Sequence, residues 1–195
     1  MSKTKIELPA PQLKGERSLE EAIAQRRSER RLRNEPLSWE QIGQMAWAAQ
    51  GITGSDSRWR TAPSAGALHP LELYVLLRNS AYRYDPVAHE LRLHVSVDLS
   101  EVAEAALNQE FIAQAPCVFA FGANVRRTTH VYKKRGWNYI CMDLGHSAQN
   151  LLLQATALGL AGTPVGALDE EALGALLRLP SGHVLLYLVP VGYPE

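Results

Sequence analysis

Gly136-Trp-Asn-Tyr-Ile-Cys-Met-Asp-Leu-Gly-His-Ser-Ala-Gln-Asn-Leu-Leu-Leu-Gln-Ala-Thr-Ala-Leu-Gly-Leu-Ala-Gly-Thr-Pro-Val-Gly-Ala167 decides how the rest of this 195-residue chain is read. Ile140, Leu144, Ala148, Leu151, Leu152, Ala155 and Leu158 recur at helical spacing. The opposite side is hardly more polar, since Cys141, Met142, Leu153 and Ala157 fill it. A helix apolar nearly all round is a buried one. Gly145, Ser147 and Ala148 are small enough for another backbone to approach closely. Gly159 is the expected stop, because glycine enters the left-handed cap without strain. Leu160–Ala167 then becomes a short loop at the end of the core helix, where a ligand can meet exposed backbone.

Working outward, Pro116-Cys-Val-Phe-Ala-Phe-Gly122 and Leu71–Leu77 read as buried strands, and His183–Val191 as the last strand. Tyr82–Tyr84 and Glu90–His94 flank Asp85-Pro86 and read as a hairpin with alternating faces. Ser18-Leu-Glu-Glu21 and Ser38-Trp-Glu-Gln41 are capping boxes that open two helices, the second running to Gly51. Residues 100–115 are helical with a break at Asn108-Gln109, and Asp169 caps a helix through Leu177. Residues 1–17 read as an extended arm, disordered or laid over a partner, and residues 18–195 as a single domain. Helices and central strands mix without strict βαβ alternation, which gives an α+β class.

Lys and Arg number 20, as do Asp and Glu, so the chain offers no net field for nucleic acid or an anionic membrane. Cys117 and Cys141 lie in apolar context and are expected as buried free thiols rather than a disulfide. The N-terminus lacks the apolar segment of a secretory signal, and no apolar run approaches roughly 18 residues. A cytoplasmic protein is the expectation. The six histidines are scattered without Cys-x-x-Cys or His-x-x-x-His pairs, so no metal site is expected. His146, in the core helix, is expected to be a buried histidine bonded to a carbonyl.

Arg26 to Arg33 holds five arginines in eight residues. A solvated basic face and nucleic-acid binding are two readings; the second lacks interleaved aromatics. The third is an anion clamp. Arg26, Ser28 and Arg30 alternate along an extended segment and so share a face. Guanidinium forks flanking a hydroxyl suit a phosphate. Pro63–Pro70 contains Ser64 but no Gly-x-Ser-x-Gly and no base nearby, and no Walker or Rossmann glycine pattern occurs. This set suits holding a cofactor that brings its own reactivity.

Five motifs in order sharpen this: Arg26-Arg27-Ser28-Glu29-Arg30; Pro63-Ser-Ala-Gly-Ala-Leu-His-Pro70; Asp143-x-Gly-His-x-x-Gln-Asn-Leu-x-Leu-Gln-Ala155; Gly159-Leu-x-Gly-Thr-Pro-Val-Gly-Ala167; and Val191-Gly-Tyr-Pro194. Together they resemble the nitroreductase family of flavoproteins from about residue 18 to the end. Gly145-His146 and Pro63–Pro70 resemble its SagB-type dehydrogenase branch. The resemblance implies a nitroreductase-like α+β fold: a mainly antiparallel sheet flanked by helices, a long core helix, and a homodimer with two FMN sites between subunits. It implies that Arg26, Arg27, Ser28 and Arg30 hold the FMN phosphate, ribityl chain and pyrimidine edge. Pro63, Ser64, Ala65, Gly66 and Leu68 would cover the flavin from the other subunit. Asn108 or Gln109 matches an amide near the pyrimidine. Pro164, Val165, Gly166 and Ala167 match the loop beside flavin N5.

The activity implied is hydride transfer through N5 to or from a small organic or peptide substrate, with NADH or NADPH as reductant. A SagB-type azoline dehydrogenase and a non-catalytic flavin-binding protein are the alternatives. Two departures stand out. The chain ends at Pro194-Glu195, without the basic residue many members carry after Gly-Tyr-Pro. Azoline-oxidising members have a Lys-Tyr pair ahead of the long helix, where this chain has Val131-Tyr132 followed by Lys133 and Lys134. Tyr132 is the catalytic candidate.

Overall fold

The structure is a computed structural model and describes residues 3–56 and 58–195. Seven strands form one sheet: β1 (Lys5–Glu7), β2 (Leu71–Leu77), β3 (Ser80–Asp85), β4 (Glu90–Val95), β5 (Cys117–Asn124), β6 (Ala161–Gly162) and β7 (His183–Gly192). Their order is β1-β4-β3-β2-β5-β7-β6, and every pair of neighbours is antiparallel. Among the described residues the α-helices are α1 (Leu19–Gln25), α2 (Trp39–Gln50), α3 (Leu99–Ala105), α4 (Glu110–Gln114), α5 (Val125–Tyr132), α6 (Gly136–Ala157) and α7 (Glu170–Leu176).

The period of two along the strands sorts side chains into two cores. Leu73, Val75, Cys117, Phe119 and Phe121 face α2 and α6. Tyr74, Leu76, Val118 and Ala120 face the layer that contains α3 and α7. On β7 the alternation is interrupted. Phe121 pairs with Tyr187 and Gly122 with Leu185, so Leu186 is an extra residue. This bulge lets Leu185 and Leu188 point into the same core. Burial pushes the Cys117 thiol well above its usual value, which makes it inert packing.

Both expected capping boxes are formed, at Ser18 and Ser38, as is the Asp169 cap of α7. The break in the 99–114 region falls at Leu107 and Asn108, both left-handed at φ 58°. The arm differs from its reading. Lys5–Glu7 pairs with β4 as an edge strand, Ile6 and Leu8 are buried, and Gln44 exchanges hydrogen bonds with the Gln12 backbone. The Arg17 guanidinium donates to Thr156 O at 2.7 Å, a cation placed at the C-terminus of α6.

Helix α6 carries its expected buried stripe through Ile140, Ala148, Leu151, Leu152 and Ala155, and Gly159 takes φ 75°. Its other side is open rather than buried. Trp137, Cys141, Met142 and His146 are exposed there, Met142 to 54%. Cys141 is therefore not a buried thiol. His146 is not a core histidine, and its ring has no hydrogen-bond partner among the described residues. Helix α5 was not legible either. It crosses the start of α6 so closely that a Cβ on Gly136 would lie 2.7 Å from Thr129 Cα. No helix among the described residues is long and apolar enough to cross a membrane.

Candidate functional site

The arginine segment and the loop after α6 meet, although about 135 residues separate them in sequence. Ser28 forms a parallel bridge with Gly162, and the Glu29 N–H reaches Gly162 O at 3.4 Å. Thr163 Oγ1 donates to Glu29 O at 2.6 Å. The Glu29 carboxylate accepts the backbone N–H groups of Arg30 and Arg31, both at 2.9 Å, which holds its pKa below the ordinary range. That acid is spent on its own backbone. Arg26 and Arg30 accordingly have no carboxylate partner among the described residues. Arg27 donates to Ala24 O and Arg26 O at the end of α1. The Arg30 guanidinium lies 5.8 Å from the centre of the Phe111 ring.

The loop itself discriminates among its amides. Pro164 has none, and the Val165 N–H is taken by Leu188 O at 2.8 Å. Gly166 and Ala167 are exposed, and their N–H groups have no acceptor among the described residues. Gln109 Nε2 donates to Ala167 O at 2.9 Å and Ala106 O at 2.8 Å, tying the α3–α4 turn to this loop. The Asn108 side chain beside it is exposed and has no partner among the described residues. Phosphate-type donors, a free amide and free backbone N–H groups thus surround one end of α6.

Pro63–Leu68 lies elsewhere, over the N-terminal half of α6. Gly66 takes φ 62°, and a Cβ there would stand 2.8 Å from the Tyr132 hydroxyl. Ser64 Oγ–H donates to Asp143 Oδ2 at 2.6 Å, and the His69 N–H donates to Ser64 Oγ at 2.9 Å. The Ala65 N–H is a further donor to Asp143. Asp143 is only 5% exposed, and burial raises its pKa above the ordinary aspartate value. The loop's far end is held by Arg127, which donates to His69 O at 3.1 Å and to Glu72 at 3.3 Å. Glu72 is buried and also receives Arg83 at 3.0 Å and the Tyr74 hydroxyl at 3.1 Å. The sequence shows Asp143 as part of a motif without a role of its own and gives Glu72 none. The available signal was an acid inside an otherwise apolar element.

The two groups do not meet within one chain. Sixteen residues of α6 and its cap separate Asp143 from Gly159, roughly 24 Å at helical rise. A cleft of about 850 Å3 lies between residues 12–19, α2 and the C-terminal half of α6, and none of the residues matched to the flavin lines it.

Comparison with known proteins agrees with this architecture. A curated relative from Methanocaldococcus jannaschii, named "Putative nitroreductase MJ1384", is 38% identical over 194 residues, 96% of each chain. A crystal structure from Ralstonia eutropha JMP134, described as a "putative nitroreductase", superposes with a TM-score of 0.90 at 28% identity. The match covers 99% of this chain and 90% of that one. The NADPH:FMN oxidoreductase of Vibrio harveyi shares the fold, with a TM-score of 0.68 at 21% identity, covering 91% of this chain and 69% of that one. The family model for "Nitroreductase family" matches residues 23–193, and this chain belongs to that family of oxidoreductases.

Proposed function

We propose that the protein is an FMN-dependent oxidoreductase that works as a homodimer. The observation that carries this reading is the joining of Arg26–Arg30 to Gly162–Ala167 into one cradle with unpaired cations and unpaired amides. Bound FMN would supply two-electron hydride chemistry at N5. Arg26, Arg27, Ser28 and Arg30 hold its phosphate and ribityl chain, with Arg26 and Arg30, which have no carboxylate partner among the described residues, carrying the charge. Asn108 meets the pyrimidine edge, since Gln109 is committed to the loop. Of the four loop residues, Gly166 or Ala167 donates the N–H toward N5, since Val165 and Pro164 cannot.

Pro63, Ser64, Ala65, Gly66 and Leu68 cover the flavin of the partner subunit in this reading. Their distance from the same chain's cradle supports that. So does the exposed apolar surface of Leu13, Leu19, Ile23, Trp137 and Met142 along the arm, α1 and α6, which a second copy would bury. The purified protein soaked with FMN and desalted should be yellow and dimeric; a colourless product would sink the proposal. Arg26→Ala removes one charge-assisted contact, and FMN affinity should fall about 10- to 100-fold. Unchanged affinity would refute the phosphate role of Arg26.

The Tyr132 hydroxyl beside Gly66 favours a second reading, a SagB-type dehydrogenase of azoline peptides in which Tyr132 touches substrate. Stopped-flow absorbance separates the two. Rapid bleaching of the flavin by NADH or NADPH supports the nicotinamide-driven reductase. No bleaching by either, with Tyr132→Phe abolishing azoline oxidation, supports the second.

A further inference from the structure

The α5–α6 junction concentrates positive charge that the fold does not neutralise. Residues 125–142 contain Arg126, Arg127, Lys133, Lys134, Arg135 and His130, and no acid, in a chain whose charges balance overall. Arg127 is paired with Glu72. Arg126, Lys133, Lys134 and Arg135 are exposed and have no carboxylate partner among the described residues. Asp143, the next acid in sequence, is buried beneath Ser64.

Two features make this more than a solvated face. Lys133 has φ 52° and ψ −131°, a conformation suited to glycine and strained for a lysine. Its ammonium donates to His130 O at 2.8 Å, which fixes the cation at the C-terminus of α5. The charges also border an aromatic wall. Tyr132 and Tyr139 pack edge to face with centroids 4.8 Å apart, and Arg135 lies 5.6 Å from the centre of the Tyr139 ring. The same Tyr132 reaches Gly66 of the proposed flavin-covering loop. Arg135, the part-exposed rings of Tyr132 and Tyr139 and that loop therefore lie together, with Lys133 and Lys134 in the same turn.

We propose that the Tyr132–Arg135 turn, with Tyr139, is a recognition site for substrates that join a planar aromatic ring to an anionic group, carboxylate or phosphate. This builds on the reading of the 63–70 loop as part of the flavin site: the rings would hold the substrate's plane near the cofactor, and Lys133, Lys134 and Arg135 would hold its charge. A cation is worth most where its partner is shielded from water, as between protein and a bound ring.

The test is equilibrium binding of three probes, benzoate, phenyl phosphate and neutral benzamide, by ligand-observed NMR. It is run on the protein with FMN and on the same protein without it. At low salt either anion, or both, should bind at least tenfold more tightly than benzamide. The stronger of the two identifies the anionic group. The advantage should shrink in high salt. The double variant Lys133→Gly, Lys134→Gln should reduce it to less than threefold. Glycine suits the backbone at 133, so thermal unfolding of the variant should be unchanged or later, and loss of selectivity is not loss of fold. Equal affinity for all three probes, or an advantage that survives in the variant, would overturn the proposal. A failure of the flavin reading appears separately, as a colourless protein.

Discussion

Gly162→Ala should be among the most damaging single-methyl additions in this chain. A Cβ at 162 would lie 2.8 Å from Pro190 O, 3.1 Å from Val191 Cγ2 and 3.5 Å from Leu152 Cδ2. The first of these is backbone in β7, and it already accepts the Thr163 N–H at 3.2 Å. The new methyl cannot be absorbed by a side-chain rotation, so β6 must move away from β7. Overpacking of this kind costs about 1–3 kcal/mol. The same movement pulls on Ser28 and Glu29, which bond to Gly162, and on Thr163, which bonds back to Glu29. The arginine segment and the 163–167 loop should therefore separate together. FMN affinity should fall more than in Arg26→Ala, because every contact of the cradle is misplaced rather than one removed. Urea unfolding and flavin titration read the two effects. Gly145→Ala is the control: a Cβ there meets nothing within 4 Å of the same chain. A Gly162→Ala protein as stable as that control, with wild-type flavin affinity, would refute the account of the cradle.

That cradle also marks how far the sequence could be read. Local signals carried well. The Ser18 and Ser38 boxes, the Asp169 cap and the Gly159 stop are each written in a few adjacent residues, and each forms. The buried strands were legible because β2 and β5 are apolar on both faces, which central strands covered by two helical layers must be. Helix α5 was not legible. Val125-Arg-Arg-Thr-Thr-His-Val-Tyr132 has β-branched and charged residues, and what holds it helical is its crossing against Gly136. The outer side of α6 is open within one chain, because apolar composition says that a surface is to be covered, not by which chain. Individual hydrogen bonds were least legible. Nothing in the spacing shows that Val165 spends its amide on Leu188 while Gly166 keeps its own, or that Glu29 folds onto its backbone and leaves the arginines free.

Asp143 yields the other large effect, with a pH dependence whose sign is fixed. Its carboxylate accepts from Ser64 Oγ–H at 2.6 Å and from the Ala65 N–H, so it anchors the start of the 63–70 loop to α6. Asp143→Ala should leave both donors without an acceptor, at a cost of about 1–3 kcal/mol. Amide exchange at Ala67, Leu68 and His69, whose N–H groups are bonded within the loop, should quicken about 10- to 100-fold by the same free energy. Burial is the first cause of the raised Asp143 pKa. The bonds from Ser64 and Ala65 and the charges of His146 and His69 oppose it without cancelling it. The folded protein therefore binds this proton more tightly than the unfolded chain. Its contribution to stability is fully present below the ordinary aspartate value of 3.8 and is lost as pH rises through the folded pKa. Glu29, Glu90 and Asp98 have lowered values and act in the opposite direction, so the total profile does not isolate Asp143. The difference between wild type and Asp143→Asn does, since Asn keeps an acceptor oxygen but does not titrate. Urea midpoints measured from pH 3.5 upward should show the wild type losing ground to the Asn variant as pH rises, then running parallel. Wild type gaining on the variant would mean that the hydrogen bonds outweigh burial, and the carboxylate would then be ionised by the loop rather than strained beneath it.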